Sequence, residues 1–207
     1  MFFKNENITP SKPISFGWNC RWLAVHSEDA EFVAHLLELK ILRMAAWNSG
    51  ISAASNSFIF RRLFVIPALS GWVLILNYQL PDYRSQDVSA DHLARISSGI
   101  GGGRVCWFSS FSSVSCHAWG FAENGTTKRL YGYSDGRKFF DYGDIDTAEI
   151  ELNQLFRDDY TADNDADYER LMDERSVFLV AQKWSINPTT ISDVAFEPCV
   201  GFVAKHR

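Results

Sequence analysis

The sequence predicts an α+β fold, in which a largely antiparallel sheet of about six to eight strands is flanked by about four α-helices. Between residues 105 and 142, short apolar segments follow one another at intervals of a few residues, which favours a meander of antiparallel neighbours. Residues 71–78 form a nearly continuous apolar run, which is typical of a strand buried on both faces. Other segments repeat apolar residues at helical spacing. Together these patterns indicate helices packed on a sheet.

Length and composition indicate one domain. The chain has 207 residues, of which 46% are hydrophobic and 22% charged, so it can bury a core without metal or disulfide support. We expect an irregular arm over residues 1–17 and a single domain over residues 18–207. No apolar run reaches the roughly 18 residues of a membrane span, so we predict no membrane partner. The first seven residues lack the apolar stretch of a secretory signal, and we therefore expect a cytoplasmic protein with free thiols.

The first third of the chain predicts one strand, one helix and one loop. Residues 20–25 are typical of a strand. Ser27 is a candidate cap for a following helix. The apolar face of that helix is formed by Val33, Leu36, Leu37 and Ile41. Residues 48–57, rich in Ser, Asn and Gly, predict a loop.

Two strands and a short helix are expected next. Residues 58–67 are rich in β-branched and aromatic side chains, and residues 71–78 follow after a Pro- and Gly-containing turn. Ser89 is the expected cap of a helix that extends to about Ser97.

The predicted meander has four strands, at residues 105–111, 115–122, 128–133 and 138–142. Asn124-Gly125 is a strong hairpin signal because both residues tolerate positive φ, and Asp135-Gly136 is a second turn of the same kind.

The last quarter predicts two helices and one strand. Asp146 is positioned to cap the first helix, with Glu149 three residues later as its reciprocal partner. The second helix begins near Asp173 and stops at Asn187-Pro188. Residues 200–203 predict an edge strand.

The net charge of −5 is unevenly distributed along the chain. Residues 141–174 carry 13 acidic side chains and two arginines, a net charge of −11, whereas the remainder carries +6. The acidic balance argues against a general nucleic-acid partner. A solvated loop between helices would explain the acidic stretch, and so would a docking surface for a cationic partner, because charge of one sign steers association.

Motifs for phosphate, cofactor or metal binding are incomplete. The glycines of residues 99–103 follow a helix and precede a strand, which is the reverse of a dinucleotide fingerprint. Residues 163–174 resemble a calcium loop, but Tyr168 stands where the loop needs glycine. We therefore predict no cofactor and no metal.

Nucleophilic catalysis has little support in the sequence. Cys116 and His117 are adjacent on a predicted strand, so their side chains point to opposite faces. An enzyme would have to assemble its site from distant residues, and His117, Asp141 and Asp144 are the candidates.

Three segments resemble a family of mostly uncharacterised bacterial proteins. They are Val65–Leu74, which contains a strand turn, Trp119–Tyr133, which contains the hairpin, and Val180–Thr190, which contains a helix end. The family is found in toxin–immunity neighbourhoods, including those of contact-dependent and type VI secretion effectors. The resemblance implies a non-catalytic immunity protein whose partner is a cognate toxin or effector.

The preferred hypothesis is an immunity protein that occludes the basic active-site surface of its toxin. The candidate contact residues are Asp144, Asp158, Asp159, Asp163, Asp165, Asp167, Glu169 and Trp47, the last because it adjoins a predicted loop. The alternatives are an enzyme of unknown substrate and a non-catalytic scaffold protein.

Overall fold

A computed structural model of the chain describes residues 8–55, 61–82, 85–134, 137–158 and 173–207, and of residues 153–158 only the backbone. In chain order the strands are β1 (Cys20–His26), β2 (Leu39–Ala45), β3 (Arg62–Leu69), β4 (Trp72–Leu76), β5 (Val105–Phe111), β6 (Cys116–Glu123), β7 (Thr126–Ser134), β8 (Arg137–Tyr142) and β9 (Gly201–His206). The α-helices are α1 (Ala30–Leu36), α2 (Trp47–Ser55), α3 (Gln86–Gly99), α4 (Thr147–Asp158) and α5 (Glu174–Trp184). The fold is α+β, as predicted.

All nine strands of the described ranges belong to one antiparallel sheet. Their order is β2-β9-β3-β4-β1-β5-β6-β7-β8, so β2 and β8 are its edges. The sheet has more strands than expected. The prediction that residues 200–203 form an edge strand is wrong, because β9 pairs with β2 on one side and with β3 on the other.

Helices cover both faces of the sheet. Helices α1 and α3 pack on one face, and α2, α4 and α5 pack on the other. In β4, Val73 and Ile75 belong to the hydrophobic core between the sheet and helices α1 and α3. Leu74 and Leu76 belong to the core between the sheet and helices α2, α4 and α5. The prediction that this strand is buried on both faces is therefore confirmed.

The meander of β5 to β8 is also confirmed. β5 pairs with β6, β6 with β7 and β7 with β8. Asn124 and Gly125 have φ values of 54° and 69°, as a tight hairpin between β6 and β7 requires. The second predicted turn, Asp135-Gly136, lies outside the described residues.

The predicted helix from Ser27 through Ile41 is shorter than expected. Asp29 is its cap and accepts a hydrogen bond from Phe32 N at 2.8 Å, and α1 ends at Leu36. Glu38 then adopts a left-handed φ of 53°, after which the chain enters β2. The apolar residues after position 38 belong to strand β2. Their spacing also fits a helix, which is why the helix was predicted to be longer.

The loop predicted at residues 48–57 is largely a helix. Helix α2 spans Trp47–Ser55, and its Gly50 lies so close to the Phe64 ring that an added Cβ would overlap the ring. Small residues let this helix approach β3, so packing overrides a weak helix propensity.

Helix caps further along the chain are partly as predicted. Ser85, not Ser89, caps α3, and the buried Ser89 hydroxyl instead donates to Asp82 O. Asp173 caps α5 as predicted, since its carboxylate accepts from Ser176 N at 3.1 Å. None of the helices in the described ranges is long and apolar enough to cross a membrane.

Candidate functional site

A buried ion pair holds the beginning of α4 against the sheet. Arg129 of β7 is 3% exposed and Glu149 of α4 is 2% exposed. The Arg129 Nε atom donates to both carboxylate oxygens of Glu149, at 3.0 Å and 2.9 Å. Separating such a pair would leave a charge in a low-dielectric interior, so the contact fixes the position of the helix.

Each oxygen of the Glu149 carboxylate accepts a second hydrogen bond. The Trp119 indole N–H donates to Glu149 Oε1 at 2.9 Å, and Asp146 N donates to Oε2 at 3.0 Å. Asp146 in turn accepts from Ala148 N and from the Trp184 indole, at 2.9 Å and 2.7 Å. Glu149 thus accepts from Asp146 N as predicted, whereas the Asp146 carboxylate caps Ala148 N instead of Glu149 N. The cap is joined to β6 through Trp119 and to α5 through Trp184.

The same arginine also ties down the edge strand. Arg129 Nη1 donates to Asp141 Oδ1 at 2.8 Å and to the carbonyl oxygens of Tyr142 and Gly143. This hydrogen bond lowers the pKa of Asp141 below its usual value. Gly143 has a φ of +77°, and an added Cβ would collide with Lys128 O. The turn from β8 into α4 thus requires glycine.

An exposed surface of mixed chemistry lies just beyond this anchor. It consists of Asp144, Ile145, Ile150 and Glu151, and we call it the α4 entry surface. Ile145 is 58% exposed and Ile150 is 46% exposed. Asp144 and Glu151 are exposed as well, and Glu151 forms an ion pair with the exposed Lys183. Apolar side chains bordered by acids are thereby presented to solvent on a fixed helix.

The predicted contact residues fall into three groups. Asp144 is exposed and belongs to the α4 entry surface. Asp158 is the last residue of α4 and is described only by its backbone. The others in the acidic stretch lie outside the described residues, namely Asp159, Asp163, Asp165, Asp167 and Glu169.

The expectation that Trp47 is exposed is wrong. Its side chain has no exposed surface, its indole packs edge-on against Phe64, and its N–H donates to Cys199 Sγ. Trp47 starts α2 in the core instead of bordering a loop, so it is not accessible to a partner in this structure.

The residues of the enzyme hypothesis lie in different surroundings. Asp141 is opposite Tyr131 on β7, whereas His117 is opposite Tyr133, two residues further along that strand. Asp141 is bound by the arginine described above, and Asp144 is exposed on the α4 entry surface. The described geometry does not bring these three side chains into one cluster.

His117 has a close neighbour that the sequence analysis missed. Ser110 of β5 lies directly opposite it, and both are buried. Within the described residues, neither Ser110 Oγ nor His117 Nδ1 has a hydrogen-bond partner. Burial lowers the pKa of His117, while the charge of Asp173 acts in the opposite direction. The result is a neutral imidazole beside a hydroxyl in the core.

Two of the four thiols are held in the protonated form. Burial raises the pKa of Cys20 to about 12 and that of Cys106 further still, so both thiols stay protonated. Among the described ranges, no three His, Cys, Asp or Glu side chains are placed to share a metal ion.

A cavity at one end of the sheet was also missed. It contains Tyr78, His92, Arg95 and His206 and has a volume of about 1090 Å³. These residues come from three separate segments, of which only α3 contributes two, so no local pattern in the sequence indicates that all four lie together.

Comparison of the chain with protein-family models, with curated proteins and with solved structures gave no match.

Proposed function

We propose that the protein is a non-catalytic immunity protein that binds a cognate bacterial toxin or effector and occludes its basic active site. The observation that carries this proposal is the α4 entry surface, Asp144, Ile145, Ile150 and Glu151. It presents two large exposed apolar side chains within an acidic environment, immediately before the most acidic part of the chain.

The composition of this surface suits a protein partner. Burying Ile145 and Ile150 in an interface would remove apolar area from water, which is the main favourable contribution to most associations. The surrounding acids would attract a basic surface over a long range and disfavour acidic proteins. Toxins that act on nucleic acids or other anionic substrates need such basic surfaces.

The anchoring of the surface supports tight binding. The Arg129–Glu149 pair fixes the first turn of α4, so the α4 entry surface is already ordered before a partner arrives. Ordering an interface during binding reduces affinity, and a surface that is held in advance avoids that cost.

The side of α4 that carries Glu151 continues along the helix toward the acidic residues that follow it. At about 100° per residue, position 158 lies on the side of α4 that carries positions 147 and 151, and opposite the buried position 149. The chain then runs through residues 159–172, which carry five acids and one arginine. We place the toxin contact across both parts, in the cytoplasm.

The proposal is tested with the product of the gene that adjoins the gene for this chain. We expect co-expression to give a stable complex that survives size-exclusion chromatography. Ile150→Ala should weaken the purified complex by about tenfold, which corresponds to the loss of more than about 1 kcal/mol at an interface hot spot. Val194→Ala is the matched control, because Val194 is similarly exposed but lies in the segment between Asp193 and Gly201.

Charge reversal gives a second, independent measure. Asp144→Lys should slow association with the toxin, whereas Glu197→Lys, at an exposed position in the segment before β9, should not. Absence of a complex, or equal effects of the test and control variants, would contradict the proposal.

A further inference from the structure

A large cavity lies at one end of the sheet. At this end β1 and β3 begin, and β4, β5 and β9 end. The cavity volume of about 1090 Å³ is at the upper end of the range for small-molecule sites. Among the described residues that line it, three arginines, Arg21, Arg61 and Arg95, are accompanied by one carboxylate, Glu38. The cavity is therefore electropositive, in contrast to the α4 entry surface.

Two residues that line this cavity, Tyr78 and His92, are hydrogen-bonded to each other. Tyr78 Oη and His92 Nε2 are 2.7 Å apart, and Arg95 Nη2 approaches His92 Nδ1 at 3.5 Å. Either atom of the Tyr78–His92 pair can be the donor, depending on the tautomer of His92. The pair places a polar group of the core next to the arginine.

Burial and nearby positive charge both disfavour protonation of the two imidazoles of the cavity. Burial, assisted by Arg95 and His206, lowers the pKa of His92 to about 4. Burial and the charge of Arg61 also lower the pKa of His206. The His206 and Tyr78 rings are in contact, with centroids 5.6 Å apart. The arginine charges that act on the imidazoles, Arg95 on His92 and Arg61 on His206, would favour a bound anion.

The cavity also has apolar walls. Leu36, Leu80 and Ile96 contribute aliphatic surface, and the Arg21 guanidinium lies over the Phe111 ring at 4.8 Å from its centroid. A ligand that uses the whole cavity needs an apolar or aromatic body as well as a negative group. Inorganic anions would use only the charged part.

We propose that this cavity binds a phosphate monoester with an aromatic body, its phosphate between Arg61 and Arg95 and its ring against the apolar walls. A phosphate dianion matches two guanidinium groups better than a carboxylate does, because it offers more charge and more acceptor oxygens. The Tyr78 hydroxyl, which is hydrogen-bonded to His92, adds a neutral polar group at the site. The inference is independent of the proposed toxin binding, since the acidic surface and the cavity share no residue.

The probe is phenyl phosphate, measured by isothermal titration calorimetry and by thermal shift of the intact chain. We expect saturable binding to one site. Benzoate and inorganic phosphate are the comparison probes, and each should bind at least tenfold more weakly, because the first has less charge and the second lacks the ring. Equal binding of benzoate would overturn the phosphate assignment, and equal binding of inorganic phosphate would overturn the role of the apolar walls.

Variants assign the binding to the cavity. Arg61→Gln and Arg95→Gln remove exposed charges, so both proteins should fold, and each should weaken phenyl phosphate binding at least tenfold. Arg137→Gln, an exposed arginine on the edge strand β8, is the matched control and should leave binding unchanged. No saturable binding of phenyl phosphate at millimolar concentration, or equal losses in Arg95→Gln and Arg137→Gln, would overturn the proposal.

Discussion

Replacing Glu149 by Gln tests whether the buried ion pair anchors α4. The amide of Gln has one oxygen and one NH2 group, whereas both carboxylate oxygens of Glu149 accept from two donors. In one orientation the NH2 group would face the Trp119 indole and Arg129, and in the other it would face Asp146 N and Arg129. Either way, the Trp119 indole or Asp146 N loses its acceptor, Arg129 Nε keeps one of its two acceptors, and the guanidinium loses its buried countercharge.

The expected loss of stability is large. Removing one partner of a buried pair costs about 3–5 kcal/mol. For a chain of this size, about 2–4 °C of melting temperature is lost per kcal/mol, so the midpoint should fall by roughly 6–20 °C. Urea unfolding monitored by tryptophan fluorescence measures the same change as a free energy.

The control is two residues further along the same helix. Glu151→Gln removes an ion pair with Lys183 in which both side chains are more than half exposed, and it should cost less than about 1 kcal/mol. If Glu149→Gln were no more destabilising than Glu151→Gln, the proposed anchoring of the α4 entry surface would be refuted.

Three further predictions concern the backbone, the core and pH. Gly143→Ala should destabilise by more than about 1 kcal/mol in urea unfolding, because a left-handed φ and contact with Lys128 O exclude a Cβ, and an unchanged midpoint would contradict this. Ser110→Ala should leave stability unchanged or raise it by up to about 1 kcal/mol, since it removes a buried hydroxyl beside His117 for which the described residues provide no partner, and a large loss would show that the hydroxyl is bound. Folding lowers the pKa of His92 from 6.5 to about 4, so the unfolded chain binds a proton at a higher pH than the folded chain does. The stability present above about pH 6.5 should therefore decline as the pH falls toward 4. A decline equally steep in His92→Gln would contradict that origin.

The sequence indicated much of the fold because its local signals agree with its tertiary structure. The close spacing of the apolar segments in residues 105–142 and the Asn124-Gly125 turn both favour antiparallel pairing, and the structure contains that meander. The predictions failed in segments whose secondary structure is decided by packing against the rest of the protein. Leu39–Ala45 is half exposed at an edge of the sheet, and α2 is made of small residues that fit against the Phe64 ring.

The sites were less accessible to sequence reasoning. Glu149 could be recognised as the capping partner of Asp146, but nothing in the sequence shows that Arg129, twenty residues earlier, would be buried beside it. Trp47 was misjudged because its predicted neighbourhood was a loop. The electropositive cavity combines side chains from β9, from α3 and from the ends of several strands, and a charge count along the chain averages them with distant residues.

The central claim is that an acidic surface docks the protein on a basic partner. Its most direct test is the salt dependence of the association rate with the partner isolated by co-expression. Between about 0.01 M and 0.1 M salt the Debye length shrinks from about 30 Å to about 10 Å, so the wild-type rate should fall by about tenfold or more. A variant with Asp163→Lys, Asp165→Lys and Asp167→Lys should associate slowly at low salt and show little salt dependence. Equal rates of the two proteins at low salt would contradict the claim.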